Sequence, residues 1–146
     1  VLQAGSGFVS WGGGSGVWFW DAEGRVLLNR GHPKAHVGDV LGVFQAGSAF
    51  VSWDNSGGVR FWDAEGRLLP DRGDPKAHDG YVTVARAGSG VVSFGLDRSV
   101  RFWDGEGRAV ETILVPSATA YHVTDQCVAC AGRDLLVYDL PEGLVH

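Results

Sequence analysis

The string Trp20-Asp21-Ala22-Glu23-Gly24-Arg25 returns as Trp62-Asp63-Ala64-Glu65-Gly66-Arg67 and again as Trp103-Asp104-Gly105-Glu106-Gly107-Arg108. Its Asp residues, at 21, 63 and 104, stand 42 and 41 residues apart, and a weaker copy, Tyr138-Asp139, follows after 35. Two further strings keep the same phase. Ala4-Gly5-Ser6-Gly7-Phe8-Val9-Ser10-Trp11 reappears from Ala46 to Trp53 and from Ala87 to Phe94, and Pro33-Lys34-Ala35-His36 reappears as Pro75-Lys76-Ala77-His78. Three strings in one register establish an internal repeat, and a period near 40 residues is that of a stacked supersecondary unit.

Each unit reads as four short strands. In the second they run from Val40 to Gln45, Ala49 to Trp53, Val59 to Trp62 and Arg67 to Leu69, all rich in apolar β-formers and bounded by Gly, Asn, Asp or Ser. The Trp-Asp-Ala-Glu-Gly-Arg string is the hairpin between the third and fourth strands. Gly66 supplies the left-handed conformation there, and Asp63 accepts backbone N–H groups at the turn start. The fourth unit predicts strands from Thr119 to Asp125, Cys127 to Ala129, Asp134 to Tyr138 and Gly143 to His146. No window has a helical period.

Four-stranded units of this length resemble the blades of the WD40-repeat β-propeller family. That family places a His early in each blade, a Ser or Thr on the second strand, an Asp in the next turn and a Trp on the third strand, joined in a buried hydrogen-bond chain. The third unit matches throughout, with His78, Ser93, Asp97 and Trp103. The second matches at His36, Ser52 and Trp62, with Ser56 where Asp is expected. The first matches at Ser10 and Trp20, with Gly14 in place of Asp. In the fourth, Tyr138 replaces Trp, Val128 holds the Ser position and Gly132 the Asp position. The resemblance implies an all-β propeller of four-stranded antiparallel blades, about four per chain, at 1–31, 32–73, 74–116 and 117–146. WD40 rings commonly have seven or eight blades and propellers in general roughly 4–8, so the resemblance implies an arc with two open ends, part of a larger ring or half of a two-chain one, ahead of a four-bladed ring that closes alone.

Composition fits an ordinary folded domain. Hydrophobic residues make up 45% and charged residues 20%, which argues against disorder. The 23 glycines recur at fixed places and so mark turns. With 12 Lys and Arg against 17 Asp and Glu, and a net charge of −5, the chain lacks the basic stripe that nucleic-acid binding requires. It has no apolar run long enough to span a membrane and no visible signal peptide. Cys127 and Cys130 do not make a disulfide framework, which points to the cytoplasm.

Several motifs have plainer explanations than chemistry. The carboxylate pairs Asp21/Glu23, Asp63/Glu65 and Asp104/Glu106 all fall in the same turn and read as turn residues rather than glycosidase acids. His36 and His78 lack the convergent ligands of a metal site. The lone Cys127-x-x-Cys130 reads as small buried hydrophobes, and Gly12 to Gly16 as a hairpin loop, since no Lys-Ser/Thr and no helix follow. No cofactor, metal or catalytic residue is expected.

The resemblance implies a non-catalytic protein-interaction scaffold. Its partner surface is placed at Trp18, Arg60 and Arg101, which share one position two residues before the blade Trp, and at loop residues Asp54, Asn55 and Arg98. The expected partners are proteins, including a second copy of the chain that would close an eight-bladed ring, or the rest of a larger propeller. A multivalent small-ligand or glycan-binding propeller and a repeat array whose activity is self-association are the other readings.

Overall fold

In the computed structural model, which describes residues 1–145, the chain is all-β. Fourteen strands form four separate antiparallel sheets in chain order. Sheet one contains β1 (Leu2–Ala4), β2 (Gly7–Trp11) and β3 (Val17–Trp20). Sheet two contains β4 (Val40–Ala46), β5 (Ala49–Asp54), β6 (Val59–Trp62) and β7 (Leu68–Asp74). Sheet three contains β8 (Val82–Ala87), β9 (Gly90–Gly95), β10 (Ser99–Trp103) and β11 (Ala109–Leu114). Sheet four contains β12 (Ala120–Val123), β13 (Cys127–Ala131) and β14 (Leu135–Asp139). In every sheet each strand pairs with the next in sequence, so all are meanders built by short hairpins.

The end sheets are narrower than the sequence predicts. In sheet one the fourth strand shrinks to isolated bridges, Trp20 to Val26 and Val17 to His32. In sheet four the strand expected from Gly143 to His146 is not formed. Pro141 has no N–H to give a ladder, and Glu142–Leu144 makes a 3-10 turn that buries Leu144 instead; His146 lies outside the described residues. The backbone N–H of Ser89 donates to the Leu144 carbonyl at 2.8 Å, tying this turn to sheet three.

The repeated hairpin works as expected. Asp63 Oδ1 accepts the N–H groups of Glu65 and Arg67, each at 2.9 Å, and Gly66 has φ of 90°. Asp21 and Asp104 accept the corresponding pairs.

The cores lie between sheets, one at each seam. Period-two alternation gives every sheet two apolar faces. Phe19, Val9 and Val17 of sheet one pack on Trp62, Phe50 and Val43 of sheet two. Phe61, Val51 and Val59 of sheet two pack on Trp103, Val91 and Val84 of sheet three. Phe102, Val92 and Val100 of sheet three pack on Val128 and Cys130 of sheet four. The seams are pinned by backbone bonds as well: Gly31 N–H donates to the Gly66 carbonyl at 2.7 Å and Gly73 N–H to the Gly107 carbonyl at 2.9 Å.

Candidate functional site

The largest buried polar cluster of sheet three joins four elements. Trp103 Nε1 donates to Ser93 Oγ at 3.0 Å, Ser93 Oγ lies 2.7 Å from His78 Nε2, and His78 Nδ1 lies 3.1 Å from Asp97 Oδ1. The proton positions follow. An indole can only donate, so Ser93 accepts from it and sends its single proton to Nε2. His78 is then the Nδ1–H tautomer and donates to Asp97. Burial holds the His78 pKa below its ordinary value despite the facing carboxylate, so the imidazole is neutral, as the chain requires. Burial alone would raise the Asp97 pKa, but hydrogen bonds from Ser99 and His78 outweigh it and hold it at about 2.

Sheet two builds the same chain from a different acid. Trp62 Nε1 donates to Ser52 Oγ at 2.9 Å, and Ser52 Oγ lies 2.7 Å from His36 Nε2. The carboxylate at His36 Nδ1, 3.0 Å away, is Asp54, which corrects two expectations at once. Sheet two does not lack its acid, and Asp54 is not a loop residue open to a partner. It is fully buried and also accepts from Ser56 and from the Gly58 N–H at 2.8 Å. Burial opposes its ionised form, but these bonds and His36 keep its pKa well below the carboxylate range. The reason lies in Gly95, which aligns with Asp54. A β-carbon on Gly95 would run into His78 Nδ1 and Asp97 Oδ1. One volume beside the imidazole is filled from either of two positions two residues apart.

Sheet one retains only the bond from Trp20 Nε1 to Ser10 Oγ, at 2.7 Å. In sheet four the register corrects the alignment. Tyr138 pairs with Val128 as Trp62 pairs with Phe50, so the Ser position belongs to Cys130, not Val128. The β13–β14 turn is two residues shorter than its counterparts, which shifts the count. Cys130 is buried, Cys127 is half-buried, and the odd spacing puts them on opposite faces of the strand. Among the described residues no group of three or more His, Cys, Asp and Glu could hold a metal ion.

The remaining surface residues scatter. Trp18, Arg60 and Arg101 each pair across the ladder with Ser10, Ser52 and Ser93. Trp18 is exposed, whereas Arg60 is half-buried and donates to the Ala35 carbonyl at 3.1 Å. Arg101 lies 5.8 Å from the Trp103 ring centroid, with Asp74 3.5 Å away. Asn55 Oδ1 accepts the Asp39 N–H at 3.0 Å. Arg98, at φ of 64°, is exposed and donates to the Pro116 carbonyl at 2.6 Å.

The two open ends expected from the sequence are present as uncovered apolar end faces. Phe8 of sheet one is 40% exposed, while its counterpart Phe50 is 1% exposed. Val137 of sheet four is 59% exposed, while its counterpart Phe61 is fully buried. Trp18 and Leu135 extend these patches. The signal for them was available: the residue types repeat, but only inner copies have neighbours on both sides.

No family model and no curated protein matches the chain. Solved structures do. The WD40 β-propeller domain of Doa1 is similar over 100% of this chain and 51% of its own, at 18% identity and a TM-score of 0.66. The WD40 repeats of RRP9 are similar over 98% of this chain and 48% of theirs, at 26% identity and a TM-score of 0.68. The computationally designed Ika8 protein is similar over 95% of this chain and 44% of its own, at 21% identity and a TM-score of 0.68. The chain spans about half the length of the solved chains it matches.

Proposed function

We propose that this chain, which is built of WD40-type β-propeller blades, is a non-catalytic protein-interaction scaffold that completes its ring with a second copy of itself. The observation that carries this reading is the pair of unfinished seams. Each inner seam joins a Phe/Val face to a Trp face. Sheet one leaves its Trp face uncovered, at Trp20, Phe8 and Trp18, and sheet four leaves the opposite kind uncovered, at Val137 and Leu135. The two free faces are the halves of one more joint of the same type. Even the turn agrees: Gly66 seats on Phe19 and Gly107 on Phe61, while Gly24, their counterpart, has open space around it.

Exposed apolar patches of this kind favour association, and a head-to-tail contact forms a ring when its rotation closes. Two copies would restore about the length of the propellers to which this chain is similar. The assembled ring would offer rigid loops on two faces, which is where such folds carry binding residues. A cytoplasmic setting is consistent with two unpaired thiols.

Light scattering behind a sizing column, run over a range of concentrations, tests the assembly. The expected mass is close to twice the 15.5 kDa of one chain, and Val137→Asp should reduce it to that of one chain without unfolding it. A single-chain mass at every concentration, with a cooperative melt, would overturn self-closure and assign the end faces to further blades of a longer chain.

A further inference from the structure

The outer rims of the four sheets are not alike. In sheets two and three the third strand is flanked on both sides, by β5 and β7 and by β9 and β11. In sheet one the segment after β3 still supplies the bonds. Val17 and His32 exchange both N–H···O bonds, at 2.9 and 2.7 Å, and the Leu27 N–H donates to the Phe19 carbonyl at 2.8 Å. In sheet four β14 pairs with β13 alone. Beyond it the chain passes through Pro141 into the turn that buries Leu144, so no described strand runs along the outer side of β14.

Strand geometry tells which groups are left over, because successive residues turn their backbone groups to opposite edges. The Leu140 N–H donates to the Gln126 carbonyl at 2.9 Å, and the Gly132 N–H to the Asp134 carbonyl at 3.0 Å. In the register of this hairpin, Leu136 and Tyr138 therefore also face β13, while Leu135, Val137 and Asp139 face outward. Leu135 and Val137 hold the repeat positions of Val17 and Phe19, the very residues bonded by the outer segment of sheet one.

The side chains agree. Free edges are ordinarily blunted by charge, proline or a bulge. β7 carries Pro70, Asp71, Arg72 and Asp74, and β11 carries Glu111. β14 reads Leu-Leu-Val-Tyr before its final Asp139 and pairs without a bulge. Leu135, Leu136 and Val137 are all exposed, so apolar surface flanks the open edge on both faces.

We propose that the free edge of β14 binds an extended segment of a partner protein, which pairs antiparallel with it as the missing fourth strand of sheet four. Main-chain bonds to Leu135, Val137 and Asp139 hold the segment. An apolar side chain opposite Tyr138 gives it register, as Leu68 stands opposite Trp62 and packs into the adjoining core. The proposal rests on the protein-interaction reading but not on ring closure, which would cover the face of sheet four and leave its edge. The rival occupant is β14 of a second copy. Using all three outward residues there puts Val137 on the two-fold axis and sets each Asp139 across from a Leu135, a poorer pair than an apolar segment offers.

The test adds to the full chain, ¹⁵N-labelled, a peptide with the sequence of residues Arg108–Val115, a fourth strand of this same repeat, and reads amide hydrogen exchange. In β11 the Val115 N–H bonds to the Arg98 carbonyl, so the Glu111 and Ile113 amides face the third strand and those of Thr112 and Leu114 face away. The peptide should bind saturably and slow exchange at Val137 by about tenfold or more, while Leu136, which already faces β13, changes little. N-methylation of the peptide at the Glu111 and Ile113 positions should abolish binding. The same modification at the Thr112 and Leu114 positions should leave it within about twofold. No binding, or binding that survives the first methylation, would overturn strand addition. A Val137 amide already protected in the chain alone, and more so at higher concentration, would give the edge to a second copy and overturn the proposal too. A single-chain mass together with peptide binding would sink ring closure and leave the edge standing; a ring without peptide binding would do the reverse.

Discussion

Replacing Ser93 by Ala removes one oxygen and strands two buried groups. Trp103 Nε1 loses its acceptor and His78 Nε2 its donor, and both residues are about fully buried. The void left by one hydroxyl in a site with no exposure is too small for a water to replace it. An unsatisfied buried donor or acceptor costs about 1–3 kcal/mol, so Ser93→Ala should destabilise the chain by roughly 2–5 kcal/mol in all. For a chain of this length that corresponds to a fall of about 5–15 °C in melting temperature. Ser10→Ala is the internal comparison. There only Trp20 loses a partner, and its side chain is half-exposed, so the loss should be about 1 kcal/mol or less. Urea titrations followed by tryptophan fluorescence give both values, with the midpoint moving and the slope unchanged. Equal losses for the two variants would refute the cooperative chain and leave Ser93 as an ordinary strand residue.

Stability should also depend on pH in two steps. His78 has a depressed pKa in the fold, so the unfolded chain takes up its proton first, and stability falls as pH drops below about 6.5; Asp97, held at about 2, adds a second loss as pH falls from about 4 towards 2, both read as urea midpoints against pH. Gly66→Ala should cost more than Gly24→Ala by about 1–3 kcal/mol, because both glycines have positive φ but only Gly66 would place a β-carbon 2.6 Å from the Phe19 ring; thermal melts of the pair decide it. Cys130→Ser restores the residue type of the other blades yet should destabilise by about 1–3 kcal/mol, since the hydroxyl would sit among Phe102, Val128 and Leu140, and a more stable variant in the same melts would mean that a partner is present.

Most of the fold was legible because its signals are local and repeated. Turn chemistry at Asp63 and Gly66, alternation in β5 and β6, and the spacing of Ser93 and Trp103 each act within about ten residues, and a threefold repeat averages away the noise. What failed was counting across turns. Val128 is ten residues before Tyr138, as Ser93 is before Trp103, but a hairpin two residues shorter moves the facing position to Cys130. Asp54 was misread for the same reason. Its role depends on the volume beside His36, and the compensating residue that would have revealed it is Gly95, forty-one positions away in another blade. A template fixed by spacing cannot express an exchange of space between two loop positions.

The end faces mark a different limit. Phe8 and Phe50 occupy the same place in the repeat and the same ladder position opposite a Trp, yet one is largely exposed and the other buried. Nothing in either residue's local sequence differs enough to predict this; what differs is whether another sheet follows. The repeat therefore encodes a joint, and in an open arc the number of joints completed is one fewer than the number of sheets. Four sheets complete three seams, and the fourth pair of faces is left as surface. Under the proposed ring closure, association through those faces would need no special interface residues, because the free Trp20 face carries the same pattern as the Trp103 face that Phe61 fits.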